Sequence, residues 1–313
     1  MRITILIVFL LSTNWGIAQQ LPLLAQYREN HILLNPAGIS VNYINNNSAF
    51  SAGVLGRYQW VGLEDAPKTQ TAYGSYFWED KNVAFGGYLV NDQTGPLGFS
   101  GAYAQFGYLL ELNRYGHKLS FGINAGLVQY RANVFKILPL LKDPDPIQTE
   151  TDTEFFPDFG FGMYYHFDKH FYIGISVPQI FGLNLNHKTP SGDFQIKRMQ
   201  HGYFHTGGYF GIGEKSFLEP ALWIQYARNA PLNINLNLRA LFAVGYNLEL
   251  WAGGGYSSSG IAHLETGFTL VDVQLFGAYD GLKFGISYDY TIANYALHLS
   301  GAYELHVGYY MDI

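Results

Sequence analysis

The chain has 313 residues, of which 13% are charged and 17% aromatic, with a formal charge of -6 and no cysteine. Soluble domains carry about 25% charged residues, so this composition is not that of an ordinary soluble domain. The lack of a basic stripe argues against a nucleic-acid partner, and the lack of cysteine excludes a disulfide framework.

In chain order, Met1-Arg2 gives a basic start, Ile3 to Leu11 an apolar run, and Gly16-Ile17-Ala18 a small-x-small cleavage site before Gln19. That pattern predicts a signal peptide over residues 1–18. The apolar run is about half of the ~20 residues a spanning helix needs, and no later stretch supplies one. Residues 19–48 then form an N-terminal segment, expected on the periplasmic side or folded into a barrel mouth as a plug. Its Asn35-Pro36-Ala37-Gly38 is a turn signal, because Pro fixes φ and Gly permits a left-handed residue.

From residue 49 to 313 the sequence alternates with a period of two. Phe50, Ala52, Val54, Tyr58 and Trp60 oppose Ser51, Gly53, Arg57 and Gln59. Leu119, Phe121, Ile123, Ala125 and Leu127 oppose Ser120, Gly122, Asn124 and Gly126. Leu232 to Ala240 and Leu282 to Tyr290 repeat the pattern, with Asn and Arg or with Lys, Ser and Asp on the second face. Apolar-out, polar-in alternation over segments near the 9–11 residues of a spanning strand is the signature of an outer-membrane barrel; sandwich strands average roughly 5–6.

The connections alternate in length. Short ones are expected at 79–82, 113–116, 168–170, 213–215, 245–247 and the Asp280-Gly281 hairpin signal. Longer ones are expected at 61–68, 91–97, 133–156, 179–200 and 291–298, while 229–231 and 257–260 are brief and blur the rule. With Ala49 to Trp60 as first strand and Leu299 to Met311 as last, the reading is an all-β antiparallel outer-membrane barrel of about 14 strands with both termini periplasmic. Ile261 to Tyr279 is long for one strand and expected to bulge near Asp272. Trp60, Trp78, Tyr108, Tyr130, Trp251, Tyr309 and Tyr310 are expected in interfacial girdles.

Several residues stand out chemically. Arg57 and Gln59 should face the lumen, where Arg57 either meets an interior carboxylate such as Asp289 or Glu304, or contacts the following stretch Asp65 to Gln70. An unpaired interior charge is costly, which favours the ion pair. The acidic stretch within 133–156, with Asp143-Pro144-Asp145-Pro146, lacks the glycine and terminal Glu of a calcium loop and reads as a solvated outer loop. His201 and His205 on one strand face are too far apart to share a metal. No catalytic triad, phosphate-binding loop or zinc spacing supports an enzyme, and no cofactor is expected.

The sequence also carries ordered blocks: Asn35-Pro36-Ala37-Gly38; Arg57-Tyr58-Gln59-Trp60-Val61-Gly62 with Ala66-Pro67-Lys68-Thr69-Gln70; Gly95-Pro96-Leu97; Pro157-Asp158-Phe159-Gly160; Gly174 to Gln179; Glu219-Pro220; and Tyr288-Asp289-Tyr290-Thr291. With these blocks the chain resembles the PorP/SprF family of type IX secretion system membrane proteins of Bacteroidetes. It departs where the family would have His after Gly301-Ala302; Tyr303 stands there, followed by Glu304. The resemblance implies a non-enzymatic outer-membrane component of type IX secretion or gliding. Its expected partners are outer-membrane lipid, machinery subunits and the C-terminal domain of a secreted surface adhesin. The family-motif residues marked for partner binding are Asn35, Pro36, Arg57, Gln59, Trp60, Pro67, Thr69, Gln70, Asp158, Asp289 and Glu304. A porin-like solute channel is the alternative.

Overall fold

The computed structural model describes residues 24–132, 152–168, 170–181, 184–189, 192–197, 200–228, 230–275, 280–292 and 301–312. The expected signal peptide and the Asp143-Pro146 stretch lie outside them. Fourteen antiparallel strands close into a barrel: β1 (Phe50–Gln59), β2 (Lys68–Trp78), β3 (Val83–Thr94), β4 (Leu97–Glu111), β5 (His117–Ala132), β6 (Asp152–Phe167), β7 (Phe171–Gln179), β8 (His201–Gly208), β9 (Ser216–Ala227), β10 (Asn233–Val244), β11 (Leu248–Ser257), β12 (Ile261–Val271), β13 (Gly281–Thr291) and β14 (Ala302–Met311). Closure comes from β1 pairing with β14, with Arg57 opposite Glu304 and Tyr58 opposite Tyr303. Every barrel strand has two neighbours, so the backbone polar groups are satisfied without water.

The alternation read from sequence sets the faces. Along β10, Asn233, Asn235, Asn237 and Arg239 are buried inside while Ile234, Leu236 and Leu238 are exposed outside. No helix among the described residues is long and apolar enough to cross a membrane.

Five expectations need correction. The 91–97 connection is a tight hairpin, because β3 runs to Thr94 and β4 starts at Leu97, with Gly95 at φ +59° making the turn. The Asp280-Gly281 pair is not a hairpin: Gly281 opens β13, and Asp280 ends the 272–280 connection by accepting the backbone N–H groups of Gln274 and Leu275. Asp272 is no bulge, since β12 stops at Val271 and the chain leaves through left-handed Asp272. Of the girdle residues, Trp78 and Tyr108 do face out near the short-turn end, but Trp251 is 2% exposed inside the lumen and Tyr130 packs inward on Phe99 and Phe156. Finally, the long connections are partly structured: β6 already begins at Asp152, and 179–200 contains a separate hairpin of 184–189 with 192–197.

The turns at 79–82, 112–116, 168–170 and 245–247 share one end with the start of β1 and the end of β14. Short turns mark the periplasmic end of such barrels.

Residues 24–48 lie within the barrel as short helical turns, at 27–29, 31–34, 36–40 and 41–46. They start in the outer half, where Leu24 and Ala25 adjoin Asn235, Ser257 and Ile261. They descend to the periplasmic mouth, where Tyr43 stacks on Phe77 at 3.9 Å. Left-handed Asn47 then turns the chain into β1.

Candidate functional site

The lumen is the site where the chemistry concentrates. Inward-facing short polar side chains of the strands take the place of water for the segment's backbone. Ser120 Oγ donates to the Ala37 carbonyl at 3.1 Å, Ser176 Oγ to the Leu34 carbonyl at 2.6 Å and Gln105 Nε2 to the Ile32 carbonyl at 2.8 Å. Asn35 works in the other direction. Its Oδ1 accepts from Ala37 N at 2.9 Å, while its Nδ2 donates to the carbonyls of Met163 on β6 and Ile175 on β7. Pro36 then sits at the first position of the 36–40 turn, where its missing N–H costs nothing. These contacts need close approach, and strand glycines provide it: a Cβ on Gly122 would overlap the Pro36–Ala37 peptide, and one on Gly162 the Asn35 side chain.

Two charged clusters hold the segment. In the outer half, Arg57 Nη2 donates to Asp289 Oδ2 at 2.5 Å and Nη1 to Glu304 Oε2 at 3.2 Å, so both carboxylates named for it are its partners. Glu304, 1% exposed, also accepts the backbone N–H groups of Ala25 at 3.0 Å and Gln26 at 2.8 Å. Gln59 lies beside the same guanidinium, its carboxamide oxygen accepting from Arg57 at 3.2 Å.

Lower in the lumen, Arg28 of the segment pairs with Glu265 and, at 3.6 Å, with Glu219. Glu29 of the segment takes Arg239 at 2.5 Å and Lys283 at 2.6 Å, and Arg239 returns to Glu265 at 3.0 Å while lying over the Trp251 ring at 4.0 Å. Burial works against the Glu29 charge, but Lys283 and Arg239 more than offset it and hold its carboxyl well below the usual range. His31 has the opposite balance: burial, followed by repulsion from His205, pushes it down to about 3. It meets the Tyr164 hydroxyl at 3.3 Å.

The remaining motif residues divide by side. Thr69 is buried inward and donates to Asp92 at 2.5 Å, whereas its neighbour Gln70 faces outward and is exposed. The Pro67 carbonyl accepts from Gln59 N, and Trp60, left-handed at φ +50°, donates its N–H to Gly301 O at 2.9 Å, so these two shape the rim. Asp158, buried on β6, accepts from the Tyr103 hydroxyl at 2.8 Å. Tyr303, where the family pattern has His, is 50% exposed on the outer wall against Tyr288 at 4.8 Å. A side chain there does not reach the Glu304 cluster.

Sequence reasoning missed Arg28 and Glu29. A signal existed: Arg239, Glu265 and Lys283 have inward parity in strands and need counter-charges, and the N-terminal segment carries an adjacent pair of opposite sign. Among the described residues no group of three or more His, Asp or Glu has metal-site geometry.

Residues 16–309 match the family described as type IX secretion system membrane protein PorP/SprF. The chain belongs to this PorP/SprF family. No curated protein matches it. Among solved structures it is similar to a Pseudomonas aeruginosa FadL homologue, with TM-score 0.56, 8% identity and coverage of 89% of this chain and 92% of the other. It is also similar to the P. putida toluene transporter TodX, with TM-score 0.54, 10% identity and coverage of 90% and 93%. The Ralstonia pickettii toluene transporter TbuX gives TM-score 0.51, 10% identity and coverage of 89% and 92%. At these identities the likeness is one of fold, an outer-membrane β-barrel, and it sets this PorP/SprF protein in the outer membrane.

Proposed function

We propose that this PorP/SprF protein is a non-enzymatic docking component of type IX secretion or gliding, with residues 19–48 as plug and 49–313 as barrel. It binds periplasmic machinery subunits and supports export or surface retention of adhesins through their C-terminal domains. The observation that carries the reading is the occupied lumen: residues 24–48 cross it, tied by two charged clusters and by backbone contacts on several strands. A barrel filled in this way is suited to presenting its rims to proteins rather than to passing solutes.

The periplasmic rim supports the same reading. Tyr115 and Tyr246, at the tips of short turns, are 82% and 98% exposed. Both project from turns rather than from the strand wall, and aromatic side chains are favoured anchors in protein interfaces. The test is a pull-down of the tagged full chain from native membranes, wild type against Tyr115→Ala/Tyr246→Ala. Recovery of machinery subunits or a secreted C-terminal domain with the wild type, reduced in the variant, supports the proposal. If deletion of the protein leaves surface adhesins in place and lowers small-solute uptake, the porin-like alternative replaces it.

A further inference from the structure

The outer wall is not uniform. Counted from the periplasmic ends of their own strands, Tyr58 on β1 and Tyr303 on β14 lie at the level of Gln70 on β2. On β9, β11, β13, β14 and β1 the outer band is aromatic, with Tyr226, Tyr256, Tyr290, Tyr303 and Tyr58 exposed, as expected for rings at a membrane interface. From β2 to β5 that band stops. Its outward places are taken by Gln70, Asn91, Ser100 and Gln129, which the strand register sets side by side, and by Lys68 and Arg131 in the next row towards the outer rim, opposite Gln93 and Gly98. Arg131 donates to Asn91 Oδ1 at 3.3 Å and to Ser100 Oγ at 3.0 Å, both neutral partners, and has no acidic partner among the described residues. Among the described residues of this patch no acidic side chain faces outward. Lys68 and Gln70 belong to the same motif stretch as Thr69, yet the lumen does not use them.

Immediately below this belt, toward the membrane centre, the wall is hollowed. A depression of about 740 Å³ lies over β2 to β5, floored by Ala72, Gly74, Gly87, Ala102, Ala104 and Ala125. Leu89 and Leu127 stand up within it. Gln70, Asn91, Ser100 and Gln129 are each two positions, and Lys68 and Arg131 each four, from an outward residue of the depression on their own strand, hence on the same face. The wall thus carries a basic, hydrogen-bonding band at the outer interface and an apolar trough running from it into the bilayer.

We propose that this surface binds an acylated lipid of the outer leaflet that carries an anionic phosphate monoester. The Lys68 and Arg131 cations meet the headgroup phosphate, Gln70, Asn91, Ser100 and Gln129 bond its polar groups, and an acyl chain fills the trough. Charge complementarity selects this occupant: a second barrel or a transmembrane protein segment would have to cover two cations with apolar surface, whereas a lipid phosphate neutralises them.

The test is native mass spectrometry of the full-length barrel in mild detergent, titrated with lipid A, with the same lipid A after dephosphorylation, and with phosphatidylethanolamine. Wild type is expected to retain lipid A above the other two. Lys68→Ala and Arg131→Ala should each lower retention by about fivefold, the effect of one basic residue at an anionic surface. Ala104→Leu/Ala125→Leu should lower it by filling the trough, while Leu236→Ala on the far wall leaves it unchanged. Heat-modifiable gel mobility in every variant confirms that the barrel has folded. Equal retention in the Lys68→Ala/Arg131→Ala double variant, equal binding of all three lipids, or a stable dimer excluding lipid A would each overturn the proposal.

Discussion

Glu304→Gln should release the start of the N-terminal segment while leaving the barrel closed. The carboxylate accepts two backbone N–H groups, from Ala25 at 3.0 Å and Gln26 at 2.8 Å, and one Arg57 N–H at 3.2 Å, all in a buried setting. A carboxamide of the same shape keeps one oxygen acceptor. It turns an NH2 toward a donor and leaves Arg57 only Asp289 as a charged partner. Charge-assisted hydrogen bonds contribute about 1.5–3 kcal/mol each, so losing two at the lower end costs about 3 kcal/mol. That is about two decades in the local opening equilibrium. Hydrogen exchange followed by mass spectrometry reads it directly: amides of Ala25 and Gln26 should exchange about 100-fold faster, with β1 and β14 unchanged because their ladder from Phe50–Met311 to Gln59–Ala302 does not involve the Glu304 side chain. Unchanged exchange at Ala25 and Gln26, or equal loss across β1 and β14, would refute the assignment of Glu304 as an anchor of the segment.

Arg239→Met should cost about 3–5 kcal/mol of segment docking, because Glu29 and Glu265 lose a buried partner; planar-bilayer conductance of the variant should exceed that of wild type. Gly122→Ala should displace the 36–40 turn at a cost of about 1–3 kcal/mol, whereas Gly56→Ala, whose added methyl meets only Tyr58 at 3.6 Å, should leave thermal unfolding within about 0.5 kcal/mol of wild type. Acid should loosen the segment. His31 docked has its pKa lowered to about 3 from 6.5, so below pH 6.5 the released segment takes a proton that the docked one refuses. Docking therefore weakens as pH falls from 6.5 towards 3, by at most about 1.4 kcal/mol per unit for this residue. Glu29, held well below its ordinary value, contributes docking above that value and loses it as pH falls through the lowered one. Exchange of the 27–31 amides against pH, once corrected for intrinsic rates, should rise towards acid; a flat profile would contradict both assignments.

The barrel was legible in the sequence because the period of two is imposed by the environment on each strand separately: Asn233 to Arg239 reads correctly with no knowledge of its neighbours. Ring position was less legible. Trp251 resembles a girdle residue by its place near a strand end, yet its parity with Gly253, Gly255 and Ser257 turns it inward, where Arg239 covers its face. Parity was the better guide there, and proximity to a strand end the poorer. Of the lumen, the Arg57 partners followed from charge and parity alone, because one interior cation demands an anion. The segment charges did not, since Arg28 and Glu29 lie in short helical turns with no period to assign a face, and their partners on β9, β10, β12 and β13 are set only when the barrel closes.

That difference bears on why the lumen is charged at all. A fixed plug would be held as well by apolar packing, since a buried ion pair replaced by hydrophobic groups is often neutral or more stable. Here the apolar contacts are present, with Tyr27 against Trp223 at 4.9 Å and Ile39 beside Phe77 and Ala84. The charged ties are added to them, and they sit at two levels, Glu304 with Arg57 near the outer half and Glu29 with Arg239 and Lys283 below. Removing the segment would leave Arg57 with Asp289 and Glu304, and Arg239 with Glu265, still paired within the wall. The strands thus retain most of their charge balance without the segment, which lowers the cost of its departure relative to a wall whose every partner came from the plug. If that is the purpose of the arrangement, Arg57→Met/Glu304→Met/Asp289→Met, which replaces the upper cluster by apolar groups, should leave the barrel folded and heat-modifiable and make the lower cluster alone decide release. The Arg239→Met substitution placed in that background should then raise conductance more than it does in the wild type; an equal rise in both would mean that the two levels act independently.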